Sequence, residues 1–401
     1  MNRSAPLSAA SVVVLAGIAA ALHVAKLPPA VPVLQAALGM DLVAAGFLLS
    51  MVQFAGMTLG IFVGLSADGL GLRRSMLVGL SMLTLASVLG GLAPTATVLL
   101  CLRAIEGLGF LLVVMPAPAL IRRTVDAAHL SARMGLWGAY MPAGSALALL
   151  LGPLVLAFCD WPVWWWLLAS ATAVAALAVW RWVPVLPALP ASPGESAGWT
   201  QRLWRTLRSR GPLLVSLSFA VYSSQWLAVI GFLPTVYTEL GLGAALTGVL
   251  TACVALVNVT GNVLSGRLLQ KGWPARRLLH IGFACMALGA LGAFGQWEGV
   301  ALPMPLRFLC VLLFSSLGGL VPGTLFSTAV RLAPDESTVS TTVGYMQQWS
   351  ALGQFAGPPA VAWVAAAVGG WQWTWAVTVS LCVTGMVLAL FIERALRTAQ
   401  R

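Results

Sequence analysis

The sequence predicts an all-α membrane protein, with twelve transmembrane helices arranged as two pseudo-symmetric bundles of six. Three observations carry this reading. First, of 401 residues 60% are hydrophobic and only 8% charged, whereas a soluble domain carries about a quarter of charged residues. Second, apolar runs of about 20 residues, the length that crosses a bilayer, recur along the whole chain. Third, the second half of the chain repeats landmarks of the first.

In chain order the spans are expected at 8–35, 41–66, 75–93, 96–121, 132–158, 162–184, 212–238, 243–269, 276–295, 304–330, 338–367 and 370–393. Each must satisfy its backbone internally, so each reads as a helix. The strict polar and apolar alternation of a membrane barrel is not seen. Span 1 follows Arg3 and continues through Pro28, Pro29 and Pro32, so it reads as a retained span rather than a cleaved leader. The 41 glycines and 23 prolines suit packed, kinked membrane helices. "WPVWWW" at 161–166, opening span 6, reads as an interfacial anchor belt. The six cysteines are scattered without metal-ligand spacing and read as small packing residues.

Net charge is +11, and its distribution argues against nucleic acid. With both termini placed inside, 19 of the 22 basic residues fall at inner loops and ends, while the outer loops carry Asp41, Asp160, Glu239 and Glu298. This is the positive-inside pattern, and it predicts cytoplasmic termini and an inner (plasma) membrane location. Lys26, Arg103 and Arg307 are the basic residues left within spans.

The repeat supports two halves, 1–184 and 211–401. A shift of 202 residues lays Pro32 on Pro234, Leu38-Gly39 on Leu240-Gly241, Gly46 on Gly248, Gly64 on Gly266 and Arg74 on Arg276. It drifts to 204 at Arg103 and Arg307, and to 205 where Tyr140-Met141 meets Tyr345-Met346. Such parallel repeats of six spans are a known transporter plan. Between the halves, 185–210 is a proline-rich linker followed by "WTQRLWRTLRSR". That stretch puts Trp199, Leu203 and Leu207 on one helical face, with Arg202, Arg205 and Arg208 largely opposite. It is expected to lie as an amphipathic helix on an anionic leaflet.

The patch between spans 2 and 3, Gly64, Asp68, Gly71, Arg73 and Arg74, resembles a motif of the major facilitator superfamily. Arg103-Ala-Ile-Glu106-Gly107-Leu-Gly109 on span 4 is similar to a second motif. Gly135, Gly144 and Gly152-Pro153 partly match a third, associated with antiporters. "VMPAPALIRR" (114–123), "MGLWGAYM" (134–141) and "FLPTVYTELG" (232–241) look like the cyanate/nitroimidazole transporter branch. That branch tends to carry an arginine early in span 1, where this chain has His23 and Lys26. The resemblance implies alternating access, with spans 1, 4, 7 and 10 lining a central cavity. Asp68, Arg73 and Arg74 form the expected conformational latch. Its counterpart in the second half has Gln270 in place of Asp68, so the latch is one-sided.

Buried polar residues fall on those same four spans: His23 and Lys26, Arg103 and Glu106, Tyr222, Gln225 and Trp226, and Arg307. A buried charge costs at least ~2.5–3.5 kcal/mol at a helix centre, which makes each a functional candidate. Arg103, Arg307 and Lys26 are expected to face one another across the pseudo-twofold and bind a small organic or inorganic anion. Tyr140, Trp137, Tyr345, Gln347 and Gln348 could complete the wall. Coupling needs a group that gains and loses a proton. Glu106 is preferred as the acidic residue well inside a span, with His23 second.

The expected function is therefore secondary active transport of a small anion, by proton-coupled symport, by a monomer in a lipid bilayer. A proton-driven drug or metabolite efflux antiporter, or a transport-dead sensor, are the alternatives. An enzyme is not expected: the sequence shows no metal constellation, no nucleotide loop and no nucleophile with an evident base. No cofactor or metal is expected.

Overall fold

The computed structural model describes residues 8–60, 71–126, 137, 140–186, 199–335 and 338–399. Among them, twelve helices are long and apolar enough to span a bilayer. Spans 1–6 are Ala9–Leu38, Leu42–Gly60, Leu72–Gly90, Ala96–Ile121, Tyr140–Phe158 and Trp161–Trp182. Spans 7–12 are Arg210–Glu239, Ala244–Gln270, Ala275–Phe294, Met304–Leu332, Thr341–Val368 and Trp371–Thr398. An even number of crossings returns the chain to the face where it began, called here the terminal face. A two-stranded antiparallel hairpin, Gln296–Trp297 with Val300–Ala301, joins spans 9 and 10.

Local chemistry sets the span ends. Span 2 starts where the Asp41 carboxylate accepts the Ala44 amide at 2.7 Å, and span 4 where Thr95 Oγ1 accepts the Val98 amide at 3.3 Å. Both side chains satisfy one of the amides a helix start leaves free. Span 1 is broken in mid-course, with an α-helix at Ala9–Ala25, a short tighter turn at Pro28–Ala30 and a second α-helix at Val31–Leu38. Pro28 and Pro29 have no N–H to give, so the regular ladder cannot continue. The Ala30 amide turns instead to the Leu27 carbonyl, at 2.8 Å.

Spans 1–6 pack mainly on one another, as do spans 7–12, and the two groups meet where span 2 lies on span 11 and span 5 on span 8. Away from the terminal face this seam is tight. Phe232 of span 7 and Ala362 of span 11 share one apolar cluster with Leu27, Leu34 and Leu48. A Cβ on Gly46 would come within 2.9 Å of Pro359 Cα, and one on Gly248 within 2.9 Å of the Leu150 carbonyl oxygen. Half-way along, Gln53 Nε2 donates to Gln354 Oε1 at 3.1 Å, and Phe355 stands between Phe47 and Phe54 with centroids 6.3 and 6.0 Å away.

Two expectations need correcting, and a third falls partly outside the described residues. The tryptophans opening span 6 are not all interfacial: Trp164 and Trp165 are buried, while Trp166 is 40% exposed. The helix Trp199–Arg208 does form, but Leu203 and Leu207 line a cleft with Met57 of span 2 and Tyr345 and Trp349 of span 11. Leu203 thus faces the ends of two spans rather than a leaflet, while Leu207 is 37% exposed and Trp204, under Arg208, is 59% exposed. The expected latch is described only in part, since Asp68 lies outside the described residues. Arg73 donates to the Trp180 carbonyl of span 6 and Arg74 is exposed. The matching place in the second half is an ion trio, Glu393 with Arg276 and Arg397 at 2.8 Å each, tying the start of span 9 to the end of span 12.

Candidate functional site

The break in span 1 prepares a charged centre in the interior of the first half. Because Ala30 has turned to Leu27, the Lys26 carbonyl is left for the Trp164 indole N–H, which donates to it at 3.0 Å. Three residues earlier, the His23 carbonyl accepts Arg103 Nη1 at 2.7 Å. Span 4 presents Arg103 and Glu106 one helical turn apart, so both side chains meet the broken segment on one face. At 1.5 Å rise per residue Glu106 lies about 15 Å into span 4, close to the middle of a bilayer.

Four charged or titratable side chains converge there. The Glu106 carboxylate accepts Lys26 Nζ on Oε1 and Arg103 Nη1 on Oε2. His23 Nδ1 stands 3.6 Å from Glu106 Oε1 and 3.5 Å from Lys26 Nζ. Lys26 also donates to Ser87 Oγ of span 3 at 3.1 Å and lies 4.7 Å from the centre of the Trp165 ring. Ser87 in turn donates to the Trp165 carbonyl at 2.9 Å. His23, Lys26 and Arg103 are 0% exposed and Glu106 1%. Two cations thus share one carboxylate in a closed, low-dielectric interior, where an uncompensated charge costs several kcal/mol.

Of the expected binding residues, His23, Lys26 and Arg103 come together with Glu106, and the others do not join them. Arg307 does not face Arg103: its Nε donates to the Ala293 carbonyl at 2.7 Å, against the end of span 9. The physical reason sits three residues on. The shift that pairs the two arginines sets Cys310 where span 4 has Glu106, so Arg307 has no carboxylate to take inward and remains half-buried. Tyr222 accepts Asn258 Nδ2 at 3.0 Å and Trp226 Nε1 reaches Ser315 Oγ at 3.4 Å, within the second half. Gln225 bonds the Val221 carbonyl and accepts Cys382 Sγ at 3.1 Å. Tyr140 stacks on Trp137 at 4.2 Å, and Tyr345 meets Trp349 edge-on at 6.2 Å in the terminal-face cleft. That cleft, of about 380 Å³, shares no residue with the charged centre.

Reading the sequence alone misses Ser87, Trp164 and Trp165, whose roles depend on which side of spans 3 and 6 turns inward. It also misses Gln53 and Gln354. A signal for these was present, because Gln-Phe-Ala-Gly occurs at 53–56 and again at 354–357. The two copies meet at the seam, glutamine on glutamine and phenylalanine beside phenylalanine.

Comparison with known proteins agrees with this architecture. A family model described as Major Facilitator Superfamily matches residues 10–358 and, in a second match, 217–401. The cyanate transport protein CynX of Escherichia coli (strain K12) is 25% identical over 336 residues, 83% of this chain and 82% of that protein. The puromycin resistance protein pur8 of Streptomyces alboniger is 32% identical over 152 residues, 37% of this chain and 29% of that one. Among solved structures, an inward-facing bacterial homolog of the human lysosomal transporter Spinster superposes with TM-score 0.77 at 15% identity, covering 99% of each chain. A D-xylose–proton symporter gives 0.72 at 17% identity over 96% of each.

Proposed function

The chain belongs to the major facilitator superfamily of transporters, and on that premise we propose that it carries a small anion together with a proton by alternating access. Two six-span halves, 1–184 and 211–401, rock about the seam, with both termini in the cytoplasm and the protein in the plasma membrane. The observation that carries this reading is the sharing of Glu106 between Lys26 and Arg103. A proton on Glu106 neutralises the one carboxylate of the centre and leaves two buried cations short of counter-charge. An incoming anion restores the balance, so proton and anion bind more favourably together than either does alone. His23, Ser87 and Trp165 are the other groups that face this centre and hold Lys26 in place. The similarity to a cyanate transport protein over most of both chains supports a small anionic cargo.

A test uses purified protein in liposomes with an acidic exterior and labelled formate, acetate or cyanate. Uphill accumulation is expected to vanish with a protonophore. Glu106→Gln is expected to keep anion exchange while losing the response to the proton gradient. Accumulation indifferent to the protonophore would overturn the coupling.

A second reading, proton-driven export of an amphipathic compound, is favoured by the apolar and aromatic cleft at Met57, Leu203, Tyr345 and Trp349. Relatives named for puromycin and multidrug resistance point the same way. It predicts that Trp349→Ala abolishes export while Arg103→Gln leaves it intact.

A further inference from the structure

Arg103 makes all its described bonds through one nitrogen. Nη1 serves both Glu106 Oε2 and the His23 carbonyl, while Nε and Nη2 are buried without a partner. His23 Nε2 is buried and unpartnered in the same centre. Buried polar atoms are nearly always bonded, and each exception calls for an explanation. The charge balance supplies a direction: Lys26 and Arg103 face one carboxylate, leaving an excess of one positive charge with His23 neutral.

Nε and Nη2 form the side edge of the guanidinium, two parallel N–H groups lying in one plane. Such an edge matches two coplanar oxygens of a carboxylate-like anion and holds a spherical or linear ion at one point only. We propose that the Nε–Nη2 edge of Arg103 is the anion seat, and that its ligand is a small planar oxyanion such as formate, acetate or nitrate. His23 Nε2, also buried and unpartnered, is a further polar atom of the centre. Complete burial of all three basic residues limits the ligand to a few heavy atoms. The proposal rests on the reading of the protein as an anion carrier and sharpens it, since it selects among anions by shape.

The experiment measures binding to the full-length protein in nanodiscs, titrating formate, nitrate, chloride and thiocyanate at constant ionic strength. Formate and nitrate are expected to bind about tenfold more tightly than chloride or thiocyanate, the worth of one charge-assisted hydrogen bond. Arg103→Lys keeps the charge but removes the paired N–H groups, so it should bring the four anions within about twofold of one another. Lys26→Met should weaken all four by removing the excess charge, while Glu106→Gln should tighten them. If a variant does not fold, the shape preference of the unaltered protein still decides. Equal binding of all four anions there, or no binding with only water at the edge, overturns the seat. Anion flux in liposomes without shape preference would remove the seat and keep the carrier reading. Shape-selective binding without flux of any anion would keep the seat and remove the carrier reading.

Discussion

Glu106→Leu is expected to lower the stability of the folded protein by about 3–5 kcal/mol, the cost of stripping one partner from a buried ion pair. Lys26 and Arg103 are 0% exposed and would be left as adjacent cations with no counter-charge. Lys26→Met is expected to cost far less. It leaves Arg103 and Glu106, which neutralise each other across one helical turn, and methionine fills the space beside Trp165. Thermal unfolding of the two variants in the same detergent checks this asymmetry. Equal losses would mean that Lys26 and Glu106 matter as a pair of packed side chains, with charge balance irrelevant. Formate should recover part of the loss in Glu106→Leu, because an anion replaces the missing counter-charge.

The second large effect is expected at the seam. Gly46→Leu and Gly248→Leu each force a side chain into a backbone 2.9 Å from the first added atom, where no rotamer offers relief. Overpacking of this kind costs about 1–3 kcal/mol, and such an energy moves a two-state equilibrium about 5- to 150-fold. The arrangement closed away from the terminal face is the one that suffers. Spin labels at Ala37 and Val368, one on each half, should report a wider mean separation in both variants, and flux should fall with it. An unchanged separation would show that the closed face tolerates the added bulk by local bending.

Much of the fold was legible, because hydropathy and length are one-dimensional properties. All twelve spans follow from them, whereas the break at Pro28 and Pro29, inside a run that reads as one continuous span, does not. The charged centre was legible for a related reason. Lys26, Arg103 and Glu106 stand out in apolar surroundings, and spacing alone puts the last two on one face. What a linear pattern does not carry is azimuth, the direction in which a side chain leaves its helix. Arg103 and Arg307 occupy equivalent places in the repeat, yet one turns inward to a carboxylate and the other to the Ala293 carbonyl. The decisive difference, Glu106 against Cys310, was visible in the residues once the shift was applied to their neighbours as well. Trp164 and Trp165 misled because an aromatic run at a span end usually marks the headgroup level. Here the carbonyl released by the broken helix supplies a deeper partner for Trp164, and the Lys26 ammonium lies over the Trp165 ring. Gln53 and Gln354 give a weaker signal, because a neutral amide costs less to bury in a membrane helix than a charge does.

The interruption of span 1 has a mechanical corollary. Val31–Leu38 is jointed to Ala9–Ala25 through a short tight turn instead of a continuous rod. The His23 and Lys26 carbonyls, both on the Ala9–Ala25 side of that joint, are moored to Arg103 and Trp164. The proximal half of span 1 is thus pinned at the charged centre, and the tight turn is where the distal half can change its tilt without drawing Lys26 away from Glu106.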